Sequence, residues 1–219
     1  MLETTENPVI GLLGDIHGDF KELLSMMKTQ AYRVDAWLQV GDLGGEGMEY
    51  PDFPSNFYFI QGNHENWDYI RELSQARSPQ YIPNGAVVDV QLQSGGTVTV
   101  AGLGGNYSSN FFMYDRVNLP QSRYRHYLQG EIESLKKCNK KVDIFLSHEA
   151  PAPYMNRGRQ TGQETITQIL TFMRPKIHVF GHHHYHTDRE IEGIRSVGLN
   201  YGMKEPLFYT PNTGEIKRL

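Results

Sequence analysis

The stretch GHHHYHTD, residues 181–188, sets four histidines between positions 182 and 186, directly after the apolar run IHVF. Imidazoles gathered behind an apparent strand are metal-binding chemistry, and a metal needs further ligands from elsewhere in the chain. Four other polar clusters can supply them: GDIHGD at 14–19, GDLGG at 41–45, GNHE at 62–65 and SHEAP at 147–151. The metal-competent side chains are Asp15, His17, Asp42, Asn63, His148, His182 and His184, with His64 beside them. Oxygen and nitrogen donors without sulfur suit manganese, iron or zinc. Seven donors exceed a four-coordinate zinc site and fit two metals that share one carboxylate. Glycine precedes Asp15, Asp42, Asn63 and His182, so the backbone there can turn sharply and approach the ions.

Something must hold these clusters together. Each closes a short apolar run: VIGLLGD, AWLQVGD, NFYFIQGN, VDIFLSH and IHVFGH. Such runs lack clean alternation, the pattern of strands covered on both faces. Helical spacing falls between some of them. In DFKELLSMMKTQ, Phe20, Leu23, Leu24 and Met27 share a face, and Asp19 stands where it can cap the start. NWDYIRELSQ, QGEIESLKKC and QETITQILTFM also read as helices. GAVVDVQLQSGGTVTVAGLGG reads as a hairpin turning at Ser94-Gly95-Gly96, and REIEGIRSVGLN and LFYTP read as closing strands. The expectation is an α/β fold of layered sheets and helices, with ligands gathered beyond the carboxyl ends of the strands.

Composition narrows the function classes. The chain has 219 residues, expected to form a single domain over 1–219. Its 21 basic and 25 acidic side chains leave a net charge of -4, which argues against a broad electrostatic grip on nucleic acid. Cys138 is the only cysteine, so there is neither an intrachain disulfide nor a thiolate metal cluster. A cytoplasmic location is expected. The N-terminal apolar run is five residues long, and no stretch approaches the roughly 20 needed to cross a bilayer, so no membrane partner is expected.

In this order, the five blocks resemble the calcineurin-like metallophosphoesterase superfamily over roughly residues 9–188. The resemblance implies a four-layer α/β/β/α sandwich with two central mixed sheets. It implies two divalent cations, manganese or iron with zinc as a further candidate. Asp15, His17 and His184 would bind the first metal, Asn63, His148 and His182 the second, and Asp42 both. His64 would face the substrate as the acid for the leaving group. The implied reaction is hydrolysis of a phosphate ester by a hydroxide held between the metals, which clamp the phosphoryl group from roughly 3.5–4 Å apart. His182 and His184 would serve different metals, because neighbouring side chains of an extended stretch point apart.

The chain also departs from its relatives. Many carry a second Asp in block two, where this sequence has Gly44 and Gly45, and the protein-phosphatase branch reads RGNHE where this chain has Gln61. A protein phosphatase therefore loses support, and the substrate phosphate needs another cation. Arg157 and Arg159, in the basic loop MNRGRQTG, are the candidates for it. GLGGNYSS, RYRHYLQGEIESL and VDIFLSHEAP together resemble the middle of RNA lariat debranching enzymes, which inclines the reading toward a phosphodiester, with nucleotide or nucleic acid as partner. That group's long C-terminal extension is not expected here, and Asp15 stands where many of its members have cysteine. The alternatives are a phosphomonoesterase acting on nucleotides or proteins, and a non-catalytic scaffold of the same fold, which would be expected to have lost ligands. Among the remaining groups, His178 reads as a core histidine, His183 and His186 as surplus, and Glu65 as a local hydrogen-bonding residue. Glu149, next to His148, reads equally well as an orienting group or as a turn cap.

Overall fold

The computed structural model describes residues 7–73, 79–156 and 158–218. The first half contains β1 (Ile10–Leu13), α1 (Phe20–Gln30), β2 (Ala36–Gln39), β3 (Phe57–Phe59), α2 (Trp67–Glu72) and β4 (Gln80–Tyr81). The hairpin β5 (Val87–Gln91) and β6 (Thr97–Leu103) follows, then α3 (Gln129–Lys137) and β7 (Ile144–Ser147). A small ribbon, β8 (Met155–Asn156) and β9 (Arg159–Gln160), precedes α4 (Glu164–Met173) and β10 (Ile177–Phe180). The chain closes with β11 (Thr187–Ile191), β12 (Ile194–Gly198), β13 (Leu207–Thr210) and β14 (Glu215–Arg218).

Two six-stranded mixed sheets result, in the orders β14-β13-β1-β2-β3-β4 and β11-β12-β10-β7-β6-β5. In the first, β1 to β4 run parallel and β13 returns antiparallel beside β1. In the second, β6, β7, β10 and β12 run parallel, with β5 and β11 antiparallel at the two edges. The strands' alternation sorts their side chains between layers. Ile10, Leu12, Leu38 and Ile60 of the first sheet meet Val100, Ile144, Leu146 and Val179 of the second in a core between the sheets. Leu13, Trp37, Phe57 and Phe59 point the other way and pack with Leu23 and Met27 of α1. Phe145 and Leu103 point outward from the second sheet onto Ile132 and Leu135 of α3 and Ile169 and Leu170 of α4. Strands buried on both faces explain why the apolar runs do not alternate. The order of layers is helices, sheet, sheet, helices, as the family resemblance implied.

Three local expectations need correction. Asp19 makes no side-chain cap on α1, since its backbone (φ -75°, ψ 52°) lies outside the extended region that aims a capping oxygen at the first turn. A side-chain cap does form on α2, where Asn66 Oδ1 accepts from Tyr69 N at 3.1 Å. That helix ends at Glu72, before Leu73 turns extended, and Ser74 and Gln75 lie outside the described residues. The MNRGRQTG segment is the β8–β9 ribbon, pairing Asn156 with Arg159, rather than an irregular loop.

His178 is fully buried on β10, stacked on Phe145 at 5.1 Å. Its Nε2 lies 2.8 Å from Ser147 Oγ and its Nδ1 3.2 Å from Ser196 Oγ, so the neutral ring is satisfied. Burial pushes its pKa down to about 3. The unfolded chain then takes up this proton first as the pH falls, so stability is complete above the ordinary histidine value and is lost on descending toward 3. At pH 4.5 this one residue should cost about 2–3 kcal/mol. In urea unfolding at pH 7 and 4.5, His178→Gln should lose less stability between the two pH values than the parent. Equal losses would place the acid sensitivity elsewhere.

Candidate metal centre

The loops after β1, β2, β3, β7 and β10 carry the five polar blocks, so parallel strands of both sheets deliver them to one end of the molecule. Asp15 joins the sheets: its Oδ1 accepts from His182 N at 3.0 Å, and its Oδ2 lies 2.8 Å from His184 Nε2. His17 Nε2 stands 3.5 Å from His184 Nε2, 3.8 Å from Asp15 Oδ2 and 3.6 Å from Asp42 Oδ2. On the other side, His148 Nε2 lies 3.6 Å from Asp42 Oδ1 and 3.0 Å from Asn63 Oδ1. The His182 ring packs 4.9 Å from that of His148. The structure thus brings all seven expected donors into one cluster. Asp42 lies between His17 and His148, in the middle.

The donor spacing has a chemical meaning. Hydrogen bonds to imidazole nitrogen span about 2.7–3.2 Å, so contacts of 3.5–3.8 Å are too long to be good ones. Two donors each about 2.1 Å from one tetrahedral ion lie about 3.4 Å apart. Two overlapping groups have donor atoms within 4.8 Å of one another, close enough to share an ion: Asp15 with His17 and His184, and Asp15 with Asp42 and His148. A set of carboxylate, imidazole and amide oxygen donors fits divalent cations.

Backbone conformation is strained here in particular. His17, Asp42, His182 and His184 all have φ between 50° and 66°, in the left-handed region that side chains avoid. The residues after β10 are therefore not extended. It is the left-handed turns at 182 and 184, rather than alternation along a strand, that direct these rings. Gly62 and Gly181 make room for the carboxylates, since a Cβ on either would come within 2.0 Å of Asp42 Oδ1 or 2.4 Å of Asp15 Oδ1.

Asp15 and Asp42 are buried, as is His148. Burial works to raise the Asp15 carboxyl, but the His184 hydrogen bond, with His148 and the His182 amide, more than offsets it and holds it below the usual range. Burial likewise opposes charge on His148, and Asp42 and Asp15 outweigh it, so its pKa is raised. His184 is raised by its bond to Asp15. His17 is lowered by burial, and His182 is pushed down to about 3 by burial and by His148. An ionised Asp15 beside neutral His17 and His182 matches the protonation states that metal binding requires, while the raised His148 and His184 release a proton when a cation takes its place.

Around the cluster, Glu65 is more than a local group. Its Oε1 accepts from Gly62 N at 2.9 Å and Leu43 N at 3.1 Å, and its Oε2 from Tyr50 Oη at 2.5 Å. It therefore staples block two to block three, and burial pushes its pKa up to about 7. Tyr50 also explains the glycine in block two, because a Cβ on Gly44 would sit 2.4 Å from the Tyr50 ring. Glu149 accepts from Tyr107 N at 2.8 Å, tying the polar-aromatic loop after β6 to the block after β7. His64 is exposed, its ring 5.9 Å from that of His17, while its backbone N–H donates to Asp42 Oδ1 at 2.7 Å. Arg157 lies outside the described residues, and Arg159 is exposed on β9. The ribbon borders the centre through Asn156 Nδ2, 3.5 Å from His183 Nδ1. Tyr201, which no sequence block flagged, stacks on His17 at 5.3 Å and meets His184 edge-on at 4.9 Å. Among the described residues, no helix is long and apolar enough to cross a membrane.

Known proteins resemble this chain in fold and sequence. A solved structure from Thermus thermophilus superposes with a TM-score of 0.71 at 14% identity, over 98% of this chain and 99% of that one, a likeness of fold. A lariat debranching enzyme of Drosophila pseudoobscura is 29% identical over 154 residues, 58% of this chain and 28% of the relative. A lariat debranching enzyme of Schizosaccharomyces pombe is 24% identical over 192 residues, 68% and 40% of the two chains. The chain thus spans less than half the length of these curated relatives. The family model for calcineurin-like phosphoesterases matches residues 8–186, a stretch holding all five donor blocks. With its two packed mixed sheets and the donors at their joint edge, the chain belongs to the calcineurin-like phosphoesterase family.

Proposed function

We propose that the chain is a two-metal phosphoesterase, a single catalytic domain that cleaves a phosphodiester in preference to a monoester. The observation that carries this reading is the convergence of seven donors in which His17, Asp15, Asp42, His148 and His184 also face one another at 3.5–3.8 Å, too long for good hydrogen bonds and suited to shared cations. Asp15, His17 and His184 would hold the first metal, Asn63, His148 and His182 the second, and Asp42 both. Two divalent cations, manganese or iron before zinc, would supply Lewis acidity toward the phosphoryl oxygens and a nucleophile at neutral pH. The residues do the rest. Asp42 keeps the two halves in register, Gly62 and Gly181 let the carboxylates sit close, and His64 delivers a proton to the leaving oxygen. Arg159 would meet substrate phosphate from the neighbouring ribbon, and Arg157 is the second candidate for that role. The likeness to two lariat debranching enzymes favours the diester and a nucleotide or nucleic-acid substrate.

The test is a paired assay on protein stripped of metal and reloaded with manganese. Cleavage of bis-p-nitrophenyl phosphate should exceed that of p-nitrophenyl phosphate, and both should vanish on stripping. Preference for the monoester would move the reading to a phosphomonoesterase. Two bound metals without turnover on either would make the chain a scaffold.

A further inference from the structure

The ligating imidazoles of the centre are oriented by different means. His148 is held from behind, its Nδ1 2.8 Å from the Val40 carbonyl, the outer hydrogen bond that commonly fixes a ligating imidazole. Among the described residues, neither His17 nor His184 has a ring nitrogen bonded to a backbone carbonyl. The Tyr201 ring lies against both instead, stacked on His17 with 20° between planes and edge-on to His184 at 63°. The segment that carries it spans the two sheets. Leu199 N–H donates to Phe180 O at the end of β10, and Gly202 N–H donates to Asp15 O beyond β1. Gly14 has no room for a Cβ because Asn200 O would be 2.1 Å away, so this strap is seated tightly on the Asp15 turn. It lies beyond residues 8–186, the stretch common to the family.

We propose that Tyr201 is a positioning residue for the first metal alone, holding the planes of His17 and His184 where an outer hydrogen bond is lacking. The proposal rests on the two-metal reading above. Without the ring, both imidazoles regain rotamer freedom that binding must then remove, whereas His148 keeps its carbonyl anchor. One of the two metal affinities should fall about tenfold to a hundredfold, the range for loss of an orienting partner. The other should stay unchanged. An aromatic ring is what the contact uses, so Tyr201→Phe should bind both metals as the parent does.

The experiment is a manganese titration of the 219-residue chain against a competing chelator, read by electron paramagnetic resonance. Parent, Tyr201→Ala and Tyr201→Phe are compared, with melting of the metal-free forms as a control for folding. Tyr201 is 38% exposed, so the alanine variant opens no core cavity. Selective weakening of one ion in Tyr201→Ala, restored in Tyr201→Phe, is the expected result. Equal weakening of both ions, no weakening, or a phenylalanine variant as poor as the alanine one would overturn the proposal. A parent that binds fewer than two ions would instead remove the two-metal reading, and this proposal with it.

Discussion

Asp42→Asn should abolish metal-dependent turnover, by about a thousandfold or more, and release both metals. The substitution keeps the shape of the side chain and an oxygen to accept from His64 N–H, now at 2.7 Å. Asparagine also tolerates the left-handed backbone at this position, where φ is 55°. It removes only the negative charge that faces His17 and His148, each at 3.6 Å. That charge is buried, repels Glu65 and attracts His148, so the melting of the metal-free variant is read against the metal-free parent as the control for folding. Elemental analysis after reloading, with the melting curve beside it, separates lost ligation from lost folding. Two metals retained at full occupancy with normal rates would show that Asp42 is not the shared ligand.

His64→Ala should behave differently. The ring is exposed at the edge of the cluster, and only the backbone of residue 64 holds Asp42, so truncation leaves the donors in place. Metal content should match the parent. The rate on a diester with a poor, strongly basic leaving group should fall by about 100- to 10,000-fold, the usual contribution of a positioned acid. On a p-nitrophenyl ester, whose leaving group needs little protonation, the loss should be far smaller. A uniform loss across leaving groups would assign His64 to binding, and a full rate on the poor leaving group would end the acid role.

The sequence alone determined a good deal of this protein. Donor residue types, their spacing behind apolar runs and the periodicity of α1 and α3 are local properties, so the five blocks, the layered α/β class and the β5–β6 hairpin were all legible. The same holds for His178, whose place inside an apolar run marked it as a core residue. Other features depend on which strands become neighbours, and no local pattern encodes that. The meeting of Asp15 with His182 and of Asp42 with His148 joins different sheets. Glu65 could be read as local, yet its partners lie in the loop after β2 as well as its own. Backbone strain at His17, Asp42, His182 and His184 is imposed by surrounding packing, so alternation along the chain misread how GHHH aims its rings. Tyr201 stands alone in the sequence because its contacts exist only where β12 ends beside β1 and β10. Residue chemistry is written along the chain, while orientation and shared burial arise only when the two sheets close on each other.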